Sequence, residues 1–384
     1  MSAAQIDSPP VSPRQTGRAD PPSFEQDETP LRHLTPKQVE RLGREFDAIH
    51  DEVYADLGER DARYIRSVIT LHRRLVLAAR ALLIGSRSRP LWLLGTSALS
   101  LAKILENMEI GHNVMHGQWD WMNDPDINSR NWDWDTASPA DAWRHSHNYE
   151  HHTFANIRGK DRDLGYEIMR IDPHQRWHPI YLAQPLYNLV LMGFFEWGVA
   201  LHDLNFDAIR SGEKPKSKAL AELKAIGVKA RRQIVKDYIA FPLLSGRAFK
   251  STLAANFTAN IVRNVWAHSI IFCGHFPDQT YTFSEEVLAE ETRGGWYVRQ
   301  LLGSANIDGR PLFHLLSGNL SFQVEHHLFP DVPSSRYAEI APRVRDICRR
   351  YGLPYNTGPL HKQLGTVHRT ILRLAFPGGR PRPK

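Results

Sequence analysis

Histidine placement constrains this chain more than any other feature. Of its 19 histidines, several fall in three compact clusters: His112-Asn-Val-Met-His116, His147-Asn-Tyr-Glu-His151-His152 and Gln323-Val-Glu-His326-His327. Neutral imidazole is the commonest side-chain metal ligand and suits iron. Residues four apart on a helix point the same way, so His112 pairs with His116 and His147 with His151. His152 lies about 100° further round and is expected to point at a different spot. His326 and His327 straddle the face below Gln323. Adjacent His pairs, offered twice, indicate two metals, and the set exceeds the four ligands of a closed structural zinc site.

Hydropathy organises the rest of the chain. Residues 1–33, rich in Pro, Ser and acidic groups, cannot bury enough apolar surface to offset ordering entropy and are expected to be a disordered tail. Thr35-Pro36-Lys37-Gln38 has the form of a capped helix start, opening a long amphipathic helix. Two apolar runs, 72–85 and 91–110, are separated by Ser86-Arg-Ser-Arg-Pro90 and predict a transmembrane hairpin. A second hairpin is predicted over 237–247 and 250–274, turning at Ser245-Gly246-Arg247. Asp203–Lys236 holds nine Lys or Arg against four Asp or Glu, which resists translocation. The apolar stretch Trp177–Ala200 is therefore assigned to the membrane interface, or to a re-entrant helix, rather than to a crossing. Trp119, Trp121, Trp132, Trp134 and Trp143 fit either a membrane interface or the wall of an acyl channel. His275 ends the second hairpin as His112 ends the first, which makes it an eighth candidate ligand. The final amphipathic helix is expected to end at Gly352, with a tail over 361–384.

The clusters follow the pattern HxxxH, HxxxHH, QxxHH. Longer phrases surround them: EIGHNVMHGQWDW from Glu109, IFCGHFPD from Ile271 and QVEHHLFP from Gln323. In these phrases the chain resembles the membrane fatty acid desaturase family, and within it the actinobacterial acyl-CoA Δ9 desaturases, from Leu34 to Pro359. The resemblance implies a mainly α, integral membrane fold, with two transmembrane hairpins carrying a cytoplasmic helical head. It implies one catalytic domain over 34–360, in the cell membrane. It also implies two iron ions, Fe2+/Fe3+, held by His112, His116, His147, His151, His152, His275, His326 and His327. No catalytic side chain is expected beyond that centre. Gln323, Asn264, His268, Asn113 and Asn148 are the candidates for fixing imidazole tautomers, with Glu106, Glu109, Glu150 and Glu325 behind them. His145, two residues before His147, falls on the opposite side of a helix and is left out of the metal set.

Breaking two unactivated C–H bonds lies beyond ordinary acid–base side chains and calls for a metal that activates O2. The implied reaction is insertion of a cis double bond into a long-chain acyl-CoA. There is no His-Pro-Gly-Gly haem motif, no dinucleotide fingerprint and no cysteine cluster, since only Cys273 and Cys348 occur. Electrons are expected from a separate protein, a ferredoxin-like donor or an NADPH oxidoreductase, and the net charge of +6 suits an acidic donor or an anionic membrane lipid face. A nucleic-acid partner is disfavoured, because no basic motif carries interleaved stacking aromatics. The two cysteines suit a reducing compartment. The alternatives are hydroxylation or oxygenation at the same kind of site, a non-enzymatic membrane metal-binding protein, and, third, a zinc hydrolase, for which no HExxH arrangement exists.

Overall fold

Thr35 opens the helix Pro36–Ala55 in a computed structural model that describes residues 33–380. The expected N-terminal tail, apart from His33, and residues 381–384 lie outside the described residues. Thr35 and Gln38 exchange both hydrogen bonds of a capping box, and Pro36 occupies the first turn. Leu42, Phe46, Ile49 and Val53, at helical spacing, form the buried face. They pack against Tyr297 and Leu301 of the helix Arg293–Leu302 and Ile340 and Val344 of the helix Tyr337–Tyr351. Each such side chain contributes about 1.5–3 kcal/mol of burial free energy. The first contact is close because Gly43 meets Gly294, where a Cβ would stand 2.1 Å from the Val39 carbonyl oxygen.

Two antiparallel helix pairs form the opposite end. The helix Glu59–Ile84 turns at Gly85–Ser88 into Arg89–Ile104, which runs on through a π-helical segment, Leu105–His112, to Met115. The second pair joins Lys216–Ile234, extended through Val235–Ala240 and Phe241–Leu244, to the helix Phe249–His275. The basic segment and the expected span from 237 are thus one continuous helix. Small residues let the pairs approach: Ala79, Leu83 and Leu99 pack on Ala255 and Ala259, and Trp92 Nε1 donates to the Ser251 carbonyl at 2.9 Å.

Among the described residues, no helix is long and apolar enough to cross a membrane. Several of the charges that lower the hydropathy of these helices are buried between them. Asp237 accepts from Lys103 at 2.7 Å and Arg80 at 3.1 Å, and Arg263 pairs with Glu196. The outward positions remain apolar, with Leu77, Leu93, Leu94, Leu243, Leu244 and Phe257 all exposed. The stretch expected at the interface is a broken pair of helices, Gln184–Gly193 and Phe195–His202, preceded by a turn over Pro179–Ala183.

The third cluster is not carried by the helix that precedes it. Pro311–Leu316 ends at Gly318 and Asn319, both with positive φ, and Gln323–Leu328 is a separate short helix. Gly318 is needed there, since a Cβ would stand 2.5 Å from the Met108 carbonyl oxygen. Nor is 361–384 a tail throughout. Leu360–Leu374 is a helix burying Gln363, Val367, Ile371 and Leu374, and Val367 and Ile371 join Ile270 and Phe272 in one core cluster. A short parallel pair, Asn306–Asp308 with Thr357–Pro359, ties it to the head.

Candidate metal centre

The first cluster sits where the first hairpin returns, at the end of the Arg89–Met115 helical run. The second lies on Ala140–Phe154, whose middle, Arg144–His151, is again π-helical. An i→i+5 ladder widens the helix, so residues four and five after His147 fall on either side of it. His152 thus points at a different spot from His147 and, like it, faces the cluster. The third cluster closes the site because Gly318 lets its approach loop lie on Met108, with Asn113 Nδ2 donating to the Gly318 carbonyl at 3.1 Å.

All eight candidate histidines converge. Ring nitrogens of His112, His116, His147 and His326 lie within 4.8 Å of one another, as do those of His151, His275 and His327. His152 joins the two sets: its ring lies 4.7 Å from His116, 4.9 Å from His326 and 4.5 Å from His327. The adjacent His326 and His327 are therefore divided between the sets, and so are His147 and His151, which the α-helical spacing had placed together. Asp163 forms a further close group with His147 and His151. His145 is outside, solvent-facing, 3.4 Å from Glu150 and stacked on Tyr149.

Hydrogen bonds orient several of these rings. Nδ1 of His151 lies 3.0 Å from Asp161 and that of His147 3.3 Å from Asp163. His326 Nδ1 lies 3.2 Å from the Tyr337 hydroxyl and His327 Nδ1 2.9 Å from Gln300. With Nδ1 held, Nε2 faces the cluster. Among the described residues, Nε2 of His116, His147, His151 and His327, Nδ1 of His275 and both nitrogens of His152 are buried without a partner. Unpaired buried nitrogens cost about 1–3 kcal/mol each, and a pair of metal cations supplies what they lack, so the donor set fits two irons. Burial, reinforced by neighbouring imidazoles, holds His112, His116, His152, His275, His326 and His327 well below the usual histidine range, hence neutral and ligand-competent. Burial also opposes charge on His151, but Asp161 and Asp163 outweigh it and push His151 up to about 9.

Of the five polar residues expected to support the ligands, Gln323 alone hydrogen-bonds a clustered ring, with its amide 3.1 Å from His275 Nε2. Asn148 ties the second cluster to the first through the Met115 carbonyl at 2.8 Å. Asn113 bonds backbone, and Asn264 donates to the Gly193 carbonyl at 2.9 Å. His268 is a bundle residue, bonded to Asn188 at 3.1 Å and stacked 3.7 Å from Phe272. The carboxylates are structural: Glu106 accepts from the Asp135 amide, Glu109 from Tyr64, Asn319 and Ser334, Glu150 from Arg162, and Glu325 from Tyr355 and Asn306. Sequence reasoning missed Asp161, Asp163, Gln300 and Tyr337. The two aspartates carried a signal, since they lie in the polar loop that follows the second cluster. Gln300 and Tyr337 carried none.

A narrow cavity opens on His112 and His147 and runs between Met108, Trp134, Trp143, Phe195, Val199 and Ile271. Most of its exposed wall is apolar, with Asp163, Glu196, His202 and Asp203 among the polar residues that also line it. A second, charged cleft shares Trp134 and Thr136 with it and is lined by Arg73, Lys229, Arg232 and Lys236 together with Glu106, Asp133 and Asp135. Trp134 and Trp143 line the first cavity.

Histidine clusters at helix ends beside an apolar channel define a metal-dependent enzyme of lipid chains. A family model described as fatty acid desaturase matches residues 90–359, and the chain belongs to that family. It is similar to the NADPH-dependent stearoyl-CoA 9-desaturase of Mycobacterium tuberculosis (strain ATCC 25618 / H37Rv), with 48% identity over 90% of this chain and 82% of that protein. It is more distantly similar to the sn-1 linoleoyl-lipid 6-desaturase of Synechocystis, 26% identical over 71% of this chain and 77% of that one. The Delta(5) fatty acid desaturase A of Dictyostelium discoideum is 24% identical over 68% of this chain and 58% of that one. No solved structure matches significantly.

Proposed function

We propose that this chain is an O2-dependent acyl desaturase that inserts a cis double bond, at the Δ9 position, into stearoyl-CoA or a similar long-chain acyl-CoA. The observation that carries the reading is the convergence of eight imidazoles, six buried and two half-buried, most with an unpartnered nitrogen and with His112 and His147 at the wall of a cavity. The 48% identical relative named a stearoyl-CoA 9-desaturase supports the substrate and the position. Two irons held by His112, His116, His147, His151, His152, His275, His326 and His327 would supply the reductive activation of O2 and the removal of unactivated hydrogens. The chain's own residues orient and exclude. Trp134 and Trp143 close the channel to water and fix which carbons reach the ligands. Asp161, Asp163, Gln300 and Tyr337 hold the rings in one tautomer. Electrons come from a separate NADPH-dependent or ferredoxin-like donor.

The two helix pairs are assigned as membrane hairpins, spanning residues 72–85 with 91–110 and 237–247 with 250–274. Arg80, Lys103, Asp237 and Arg263 pair between helices and most outward positions are apolar, with Arg73, Arg74 and Lys250 exposed near the ends of the spans, as intramembrane ionisable residues require. The head and the basic helix Lys216–Ile234 lie on the cytoplasmic side. Expression in a desaturase-deficient host, with the new double bonds located by mass spectrometry, tests the function. Stearate lighter by two hydrogens, unsaturated between carbons 9 and 10, is expected. A hydroxylated product, or no product from iron-loaded protein with reductant and acyl-CoA, overturns it.

A further inference from the structure

Beyond the hairpins, a second apolar surface stands open. The segment Pro179–Gly193 buries Gln184, Asn188 and Leu191 and turns Leu182, Leu186, Leu189 and Val190 outward. Beside it the helix Leu360–Leu374 leaves Leu372 exposed, and Phe376 one turn further is exposed as well. The two elements are locked together. Arg170 donates to the carbonyls of Leu374 and Phe376 at 3.2 and 3.3 Å, and Trp177 Nε1 donates to Ala375 at 2.8 Å. Gln184 donates to the Ile371 carbonyl.

We infer that Pro179–Gly193 and the C-terminal helix together form an in-plane platform that binds the surface of a bilayer rich in anionic phospholipid. Two observations on charge and position select this occupant. The helix Leu360–Leu374 carries Lys362, Arg373 and an Arg369 that pairs with Asp278, with no Asp or Glu of its own, and residues 173–195 contain no acidic side chain either. The exposed Arg176 and Arg373 flank the apolar positions. An amphipathic, cationic surface of this kind sinks about 5–10 Å into the headgroup boundary of an anionic leaflet. The platform is also continuous with the hairpin surface. Gly193 accepts from Asn264 of the helix Phe249–His275, whose Phe257 and Val262 are exposed. Trp177 and Tyr187 sit at its edge, where amphipathic rings favour the interface.

The inference rests on the proposed hairpins, so the test reports on both. The full chain is reconstituted in lipid nanodiscs with a polarity-sensitive fluorophore on single cysteines replacing Leu186, Leu372, Leu93, Leu243 or Glu286. The lipids carry brominated acyl chains. Emission at Leu186→Cys and Leu372→Cys is expected to fall about twofold, as at the hairpin sites, while Glu286→Cys stays bright. Quenching at Leu372→Cys should weaken when anionic lipid is replaced by zwitterionic lipid, and again in an Arg176→Gln/Arg373→Gln background. Quenching at Leu93 and Leu243 with none at Leu186 and Leu372 overturns the platform and leaves the hairpins standing, in which case an acidic protein is the occupant to seek. Silence at all four sites overturns the hairpin reading itself. Quenching of Leu372→Cys that ignores both lipid charge and the arginines overturns the anionic selectivity.

Discussion

Replacing Asp161 by Asn should loosen one side of the metal centre while sparing the fold. The carboxylate is almost fully buried, and both oxygens are committed. Oδ1 accepts from the Asp163 amide at 3.0 Å and Oδ2 from the Asn156 amide at 2.7 Å. The same two oxygens stand 3.0 and 3.1 Å from His151 Nδ1. An Asn fits the volume, but its NH2 must face one backbone N–H, a donor against a donor. Rotation cannot avoid this, because each oxygen carries an amide. Losing that bond costs about 1–3 kcal/mol of local stability. The larger effect falls on the ring. Without the carboxylate His151 loses the charge that fixes its Nδ1 proton, and the tautomer with the proton on Nε2 blocks the lone pair aimed at the cluster. Loss of such a supporting partner weakens metal affinity about 10–100-fold, equivalent to about 1.4–2.7 kcal/mol. The assay is iron retained by purified protein against graded chelator, with melting temperature followed in parallel. The chelator midpoint should fall by that factor, and iron held by His151, His275 and His327 should leave first. Glu150→Gln, whose carboxylate meets Arg162 and His145 instead, should hold iron like the parent. A well-folded Asp161→Asn protein with parental iron retention refutes the reasoning.

Iron-replete protein should contain about two iron atoms per chain. His152→Ala should lower that content and abolish desaturation, whereas His145→Ala should leave both unchanged; elemental analysis decides, and an iron-poor His145→Ala would mean the ligand set is wrongly drawn. His268→Ala should lower the melting temperature in detergent, with a cost of about 1–3 kcal/mol for stranding Asn188, yet leave iron content at the parental level. His50 is pushed up to about 9, because the bonds to Asp331 and Asp51 outweigh partial burial. Its contribution is complete below the unfolded value near 6.5 and is lost as pH rises through about 9. The parent should therefore lose more thermal stability between pH 6.5 and 9 than His50→Gln does, and parallel melting curves would exclude the linkage. Labelling should find Ser88 and Arg247 outside the cell, and Lys216 and Asp308 inside. Arg247 and Asp308 are exposed, as labelling requires. Lys216 labelled from outside would make 177–200 a true crossing and remove 237–247 from the membrane.

Much of this protein is written locally. The capping box at Thr35 and Gln38, the turn at Ser86–Pro90 and the Gly352 helix stop involve neighbours a few residues apart, so the sequence alone places them. The eight histidines were legible for a related reason: their chemistry is specific and their spacing short. What tertiary structure decided is how they divide. Spacing of four put His147 with His151 and aimed His152 at a different spot. The π-helical segments, which no local propensity announces, send His151 to the side of His275 and His327 and bring His152 between the sets. The groups that fix the rings are likewise nonlocal. Gln300 reaches His327 from another helix, and Tyr337 reaches His326 from a third. The pairing of charges is nonlocal too: Lys103 meets Asp237, 134 residues on, inside the bundle. The helix Leu360–Leu374 was taken for a tail because its apolar positions have partners only in distant elements, and a charged, glycine-bearing segment shows its buried face only once those partners are in place.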